Sequence, residues 1–251
     1  MQRTPLLAGN WKMFPSLAEA TELARGISAP AIPVGRQVMI APPTPCLHGV
    51  GEVLSHTDVI LASQNICWQE KGAFTGEISP TMLKEAGGAM AIIGHSERRQ
   101  IFHETDELVN TRLLGAIHHQ ITPVLCIGET LKEREDDQTM AILKNQLTKG
   151  LKDAPTDSAH EIVVAYEPVW AIGTGKTATS AQAQEAHAFI RSVLTDIFDK
   201  TIAEQIRILY GGSVNPTTVD DLMSQPDVDG ALVGGAALQT DSFLRIINYT
   251  A

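Results

Sequence analysis

Short apolar runs recur along the chain, and each ends in a polar or glycine-rich cluster. Eight such runs lie at residues 5–8, 38–41, 59–62, 90–93, 123–127, 162–166, 206–210 and 231–233. Short runs that are apolar at nearly every position are typical of parallel strands buried on both faces. The sequence therefore predicts eight parallel strands, each followed by polar residues.

The segments between these runs have the spacing of amphipathic helices. One set follows Ser16, a suitable N-terminal cap, at Leu17, Ala20, Leu23, Ala24 and Ile27. Another lies behind Ser180, at Ala183, Ala186, Ile190, Leu194 and Ile197. A third repeats in four-residue steps at Leu143, Leu147 and Leu151. Strands and helices are thus predicted to alternate along the chain.

This alternation is typical of α/β folds. The eight units continue without an obvious switch point, and no proline-, glycine- or serine-rich linker separates two halves. The pattern favours one closed (β/α)₈ barrel domain over residues 1–251, and the alternative is a doubly wound open sheet. In a closed barrel the polar clusters after the strands share one rim, which is where barrel enzymes build their active sites.

Composition supports a globular protein with a large core. Hydrophobic residues make up 43% of the 251 positions and charged residues 19%. No apolar stretch approaches the roughly 18 residues that a membrane helix requires, and the first apolar run is too short for a secretory signal. We therefore expect a cytoplasmic protein without a membrane partner.

Cysteine usage and charge narrow the possible partners further. Cys46, Cys67 and Cys126 are widely and irregularly spaced, so reduced thiols are expected. The 29 acidic and 19 basic residues give a formal net charge of −10, without a basic run. Nucleic acid is therefore a poor candidate partner. An anionic small molecule would have to be held by local donors.

Two titratable residues at predicted strand ends are candidates for chemistry. Glu167 follows the sixth strand, where partial desolvation would raise its pKa and make it a base near neutral pH. His95 follows the fourth strand and opens a short helix-prone stretch, where the positive end of the helix dipole favours neutral imidazole. No spacing of His, Asp and Glu indicates a metal site.

Further candidates at the same rim could hold an anion. Asn10 and Lys12 follow the first strand on alternate positions, so both could face the barrel mouth. Glycines cluster after the last three strands, at positions 173 and 175, 211 and 212, and 234 and 235. Exposed backbone N–H groups in such turns can hold a phosphate group without a formal charge.

Several motifs, taken in order, resemble those of the triosephosphate isomerase family. They are AGNWKM at residues 8–13, IGHSERR at 93–99, AYEPVWAIGTGKTAT at 165–179, YGGSV at 210–214 and VGGA at 233–236. FTGE at residues 74–77 matches the dimer loop of that family. The resemblance covers nearly the whole chain and implies a TIM barrel that interconverts dihydroxyacetone phosphate and glyceraldehyde 3-phosphate, in glycolysis and gluconeogenesis.

The resemblance also implies roles for individual residues. Glu167 would be the base, and neutral His95 would polarise the carbonyl and move protons between the two enediolate oxygens. Lys12 and Asn10 would bind substrate and stabilise the developing charge, and Glu97 would pair with or orient Lys12. The phosphate would be held by backbone N–H groups of Gly173, Ser213, Gly234 and Gly235.

A lid, a homodimer and the absence of any cofactor or metal ion are implied as well. The lid would comprise Pro168, Val169, Trp170, Ala171, Ile172, Gly173, Thr174, Gly175, Lys176, Thr177 and Ala178. Trp170 and Ile172 would offer apolar surface that helps to expel water. Thr75 would insert into a partner subunit near Asn10, Lys12 and Met13.

One position departs from the family pattern. Ala237 stands where the family usually has serine, so a hydroxyl hydrogen bond worth about 0.5–1.5 kcal/mol would be lost, with activity retained.

Two other functions remain open. One alternative is a phosphate-binding lyase or aldolase with a Schiff-base lysine, although the predicted strands carry no lysine. The other is a catalytically inactive barrel kept for binding.

Overall fold

A computed structural model describes residues 3–172 and 178–251. Eight strands pair in sequence order, and β8 closes onto β1. The strands are β1 (Leu6–Asn10), β2 (Gln37–Ala41), β3 (Val59–Ser63), β4 (Gly88–Ile93), β5 (Thr122–Ile127), β6 (Val163–Tyr166), β7 (Arg207–Tyr210) and β8 (Gly230–Val233). All eight pairings are parallel. The prediction of a closed (β/α)₈ barrel is confirmed, and the open sheet is excluded.

Helices connect the strands on the outside of the barrel. They are α1 (Leu17–Ser28), α2 (Leu47–Leu54), α3 (Pro80–Glu85), α4 (Ser96–Gln100), α5 (Asp106–His118), α6 (Leu131–Glu135), α7 (Thr139–Gly150), α8 (Ser180–Ile197), α9 (Lys200–Ala203), α10 (Val219–Met223) and α11 (Thr240–Ile247). Short 3₁₀ helices occupy Thr44–Cys46, Thr156–Glu161, Val169–Ala171 and Gly235–Leu238. No helix within residues 3–172 and 178–251 combines the length and apolarity needed to cross a bilayer.

Local sequence signals explain where the predicted helices begin. Ser16 caps α1 as predicted, since its hydroxyl accepts from the Glu19 amide and the Glu19 carboxylate accepts from the Ser16 amide. The cap of α8 is Thr179 rather than Ser180, which is already the first helical residue. The hydroxyl of Thr179 accepts from the backbone amide of Gln182, and the side chain of Gln182 accepts from the backbone amide of Thr179. These two hydrogen bonds make Thr179 the residue at which the helix is capped.

The strands bury both of their faces, which explains their nearly continuous apolar sequences. One cluster fills the barrel interior and includes Leu6, Met39, Ile92, Val124 and Leu209. The larger cluster lies between the strands and the surrounding helices. This two-sided packing fixes the strand ends, and therefore the rim that carries the polar residues.

Candidate active site

Glu167 lies directly after β6 and is almost completely buried, with 2% of its surface exposed. Its Oε1 atom lies 2.9 Å from Nε2 of His95. Its Oε2 atom accepts a hydrogen bond of 2.9 Å from the amide of Ser96. The Glu167 carboxylate is thus held against the segment that follows β4.

His95 is oriented by the start of α4. Gly94, the residue after β4, has a φ of +70°, a conformation that favours glycine, and turns the chain so that His95 caps the helix. The Nδ1 atom of His95 accepts a hydrogen bond of 3.2 Å from the Glu97 amide. Because an accepting nitrogen carries no proton, the ring proton is assigned to Nε2, the atom that faces Glu167.

The contact between His95 and Glu167 shifts the pKa of each group more than burial does. Burial lowers the pKa of His95, but the adjacent Glu167 carboxylate raises it, and the net direction is upward. Burial raises the pKa of Glu167, whereas His95 and the Ser96 amide lower it, and the net direction is downward. The expected upward shift of the Glu167 pKa is therefore reversed in the ligand-free site, first by the electrostatic interaction with His95 and then by the hydrogen bonds from His95 and the Ser96 amide.

Lys12 reaches the same site by a strained turn rather than by strand alternation. β1 extends to Asn10, two residues beyond the predicted run, and Lys12 then adopts a φ of +50°. Its amide donates to Oδ1 of Asn10 at 3.0 Å, and its carbonyl accepts from Nε2 of Gln64 at 2.7 Å. The Lys12 ammonium lies 2.6 Å from Oε1 of Glu97.

A cavity of about 450 Å³ joins these groups to the loops after β7 and β8. Its lining includes Asn10, Lys12, His95, Glu167, Ser213, Gly234 and Gly235. A Cβ atom added at Gly234 would lie 3.5 Å from Cε of Lys12, and one added at Gly235 would meet nothing within 4 Å. Bare backbone and an ammonium group therefore face the same space, which suits an anion.

The described part of the predicted lid comprises Pro168, Val169, Trp170, Ala171, Ile172 and Ala178, whereas Gly173, Thr174, Gly175, Lys176 and Thr177 lie outside the described residues. Ala171 and Ile172 line the cavity. Trp170 is buried, with its Nε1 donating to Oε1 of Glu129 at 2.8 Å and the Arg134 guanidinium 4.6 Å from its ring centre. Trp170 therefore anchors the base of the predicted lid in this state.

The predicted dimer residues lie beside the active site. Thr75 is exposed in the loop after β3. Met13 is 91% exposed, and Phe14, Ile101 and Phe102 are also largely exposed around it. A second cavity, of about 570 Å³, has Met13 and Phe102 in its lining and also reaches Lys12 and His95.

Sequence reasoning missed several groups that hold the site together. Gln64 supports the Lys12 turn, Glu129 holds Trp170, and the Cys126 thiol lies close to Glu167, where burial raises its pKa well above the usual range. Gln64 and Glu129 each lie just after a strand, so their positions in the sequence could have indicated that they belong to the rim of the barrel. Position alone does not tell which of several rim residues binds a ligand and which binds the backbone.

Comparison with known proteins gives a consistent result over the full chain. The family model described as triosephosphate isomerase matches residues 5–250. A triosephosphate isomerase of Geobacter metallireducens is 52% identical, covering 99% of this chain and 100% of the relative. One from Trichlorobacter lovleyi is 50% identical over 98% of this chain and 99% of its own length. One from Thermoanaerobacter pseudethanolicus is 45% identical over 98% and 100%.

Proposed function

The chain belongs to the triosephosphate isomerase family, and from this premise we propose that Glu167, His95 and Lys12 carry its reaction. That reaction is the interconversion of dihydroxyacetone phosphate and glyceraldehyde 3-phosphate in glycolysis. The observation that best supports the assignment is that all three side chains, which come from different strand ends, line one cavity of about 450 Å³.

Glu167 is the base of the proposed mechanism. It takes a proton from the carbon beside the substrate carbonyl and returns it to the neighbouring carbon, so no proton is gained or lost overall. Its burial supports this role, because a carboxylate shielded from water is a stronger base towards a bound substrate. To act, it must exchange its bonds to His95 and Ser96 for a contact with the substrate carbon.

His95 acts as the proton donor to oxygen. Its Nε2 proton faces Glu167 in the ligand-free site, so once substrate replaces that contact it can polarise the substrate carbonyl and shuttle a proton between the two oxygens of the enediolate. The Glu97 amide bond to Nδ1 supports a neutral ring, because imidazolium has no acceptor nitrogen. Lys12 and Asn10 bind the substrate and stabilise the negative charge that develops on these oxygens, while Glu97 orients the ammonium.

The phosphate group is held by the backbone N–H groups of Ser213, Gly234 and Gly235, together with Gly173, which lies outside the described residues. Support comes from the shared cavity and from the open space above Gly235. The 168–178 segment closes over the bound substrate. Closure excludes water, and this matters because an exposed enediolate beside a phosphate can eliminate it.

The working unit is a homodimer in the cytoplasm. Thr75 of one subunit inserts next to Met13 of the partner subunit, close to Asn10 and Lys12. The cluster of exposed apolar side chains around Met13 supports this arrangement, since such patches mark interfaces. The three buried, free cysteines are in keeping with a reducing compartment. Light scattering that finds a fully active monomer would overturn the dimer.

A coupled assay tests the whole proposal. Purified protein supplied with dihydroxyacetone phosphate should form glyceraldehyde 3-phosphate, and a protein that binds phosphate without forming it would be a binding barrel instead. The eight strands contain no lysine, which disfavours Schiff-base chemistry. Substrate trapped covalently on the protein by borohydride would favour the lyase or aldolase.

A further inference from the structure

A glutamine on α7 makes two hydrogen bonds to a single glycine behind the active site. The Oε1 atom of Gln146 accepts from the Gly128 amide at 2.8 Å, and Nε2 of Gln146 donates to the Gly128 carbonyl at 3.2 Å. The pairing assigns the amide orientation, because only one placement of oxygen and nitrogen satisfies both bonds. Gly128 is the residue after β5, and its backbone N–H and C=O groups therefore bond to a side chain, whereas those of a strand residue would bond to a neighbouring strand.

Gly128 in turn lies directly against the backbone of Glu167. A Cβ atom at Gly128 would lie only 1.8 Å from the Glu167 carbonyl oxygen. Backbone hydrogen bonds flank this contact, since the Glu167 amide donates to Ile127 at 2.7 Å and the Val169 amide donates to Glu129 at 3.1 Å. The position of Gly128 therefore determines where the backbone of Glu167 can lie.

Gln146 also occupies the space behind the carboxylate. A small cavity of about 100 Å³ has Gln146, Gly128, Ser96 and Glu167 in its lining. A shorter or displaced side chain at position 146 would enlarge this cavity and give Gly128 room to move. Both effects would loosen the base without touching the residues that face the phosphate.

We propose that Gln146 is a positioning residue for Glu167, acting through Gly128. The inference rests on the proposed role of Glu167 as the base. Proton transfer requires the base within about 3 Å of the substrate proton, and displacement of about 1 Å by a remote change can cost up to about 100-fold in rate. Gln146 contributes to kcat and leaves phosphate recognition to the loops after β7 and β8.

The test compares Gln146→Met with a matched change at Gln184. Gln184 on α8 makes a similar pair of bonds to Asp227, accepting from its amide at 3.0 Å and donating to its carboxylate at 2.7 Å, in the loop before β8. Methionine has a length and a helix propensity similar to those of glutamine, so the two substitutions are comparable.

Gln146→Met should lower kcat at least about 10-fold, with KM and inhibition by inorganic phosphate within about twofold of wild type. Gln184→Met should lower the melting temperature and leave kcat within about twofold.

The outcomes separate positioning from general stabilisation. A Gln146→Met enzyme that folds and retains wild-type kcat would overturn the proposal, and so would an equal loss of kcat in Gln184→Met at matched stability. If Gln146→Met does not fold, Gln146→Glu serves in its place, because it keeps the acceptor for the Gly128 amide but replaces the donor with a carboxylate oxygen that repels the Gly128 carbonyl. It should also lower kcat at unchanged KM, and normal kcat would reject the inference. Failure of the underlying function is recognised separately, since Glu167→Gln would then keep normal activity.

Discussion

The Nε2 atom of His95 lies 2.9 Å from Oε1 of Glu167, although β4 and β6 deliver the two residues from opposite sides of β5. In the ligand-free site the base and the proton donor of the proposed mechanism therefore bind each other. The contact shifts the pKa of His95 upward and that of Glu167 downward, so it favours the charged form of each, and the substrate must replace it before neutral His95 can donate to the carbonyl. The first two predictions follow from this pairing.

Replacement of the carboxylate should remove proton abstraction and leave substrate binding nearly intact. Glu167→Gln should lower kcat by at least ~10²-fold, the scale expected for loss of a general base. Inhibition by inorganic phosphate should change little, because the phosphate loops lie across the cavity. Glu161→Gln is the matched control, since Glu161 is exposed before β6 and loses the same charge. A near-normal rate in Glu167→Gln would remove Glu167 from the mechanism.

The same substitution should lower the pKa of His95. Burial lowers this pKa, and the Glu167 charge and hydrogen bond are the largest influences that raise it. With glutamine at position 167 the raising influence falls, so imidazole stays neutral to lower pH. Titration of the His95 ring by NMR in both proteins checks the shift. An unchanged or higher pKa in the variant would mean that Glu167 does not control the charge of His95.

Much of the fold could be predicted from sequence because parallel strands buried on two faces leave a clear apolar pattern. The strand runs were placed to within about two residues, and the boundary errors have physical causes. Asn10 ends β1 although it is polar, because its backbone still pairs with Ala41 while its side chain faces the cavity. The short helices α3, α4 and α6 were not resolved by periodicity, since five or six residues span less than two turns.

The candidate site was less completely accessible to sequence reasoning. Position after a strand pointed to Glu167, His95, Asn10 and Lys12 and to the glycine clusters of the phosphate site, and the family resemblance gave their roles together with Glu97 and Ser213. The left-handed turn at Lys12 could not be predicted from local sequence, because lysine does not favour that conformation and Gln64 stabilises it from another strand end. A hydrogen bond from a side chain to the backbone of a distant segment, such as the one from Gln64 to Lys12, produces no periodic pattern in the sequence.

A buried histidine outside the active site should make stability depend on pH. His187 is fully buried on α8, and its Nδ1 atom donates to the Asp227 carbonyl at 3.0 Å. Burial lowers the pKa of His187 from 6.5 to about 4. Between those values the unfolded chain binds the proton and the folded protein does not, so the free energy of unfolding falls as pH falls. The loss attributable to His187 is about 3 kcal/mol between pH 7 and pH 4.

Urea unfolding at pH 7 and pH 4, at one protein concentration, measures this loss. His187→Asn should be less stable at pH 7 but should lose less stability on acidification than wild type. His160→Asn is the control, because His160 is exposed and its removal should leave the wild-type dependence unchanged. Equal pH dependence in His187→Asn and wild type would show that His187 does not stay neutral in the folded protein.

Ala237 offers a position where stability can be gained. It is fully buried in the 3₁₀ turn after β8, where its amide donates to the Gly234 carbonyl at 2.8 Å. A serine hydroxyl at this position can bond a carbonyl one turn back. Ala237→Ser should raise the melting temperature by about 2 °C, the effect of one additional hydrogen bond in a chain of this size. Ala237→Cys adds a similar volume without a strong donor, so it should not reproduce the gain. Calorimetry that finds no rise for serine, or an equal rise for cysteine, would mean that packing, and not a missing hydroxyl, determines stability at this position.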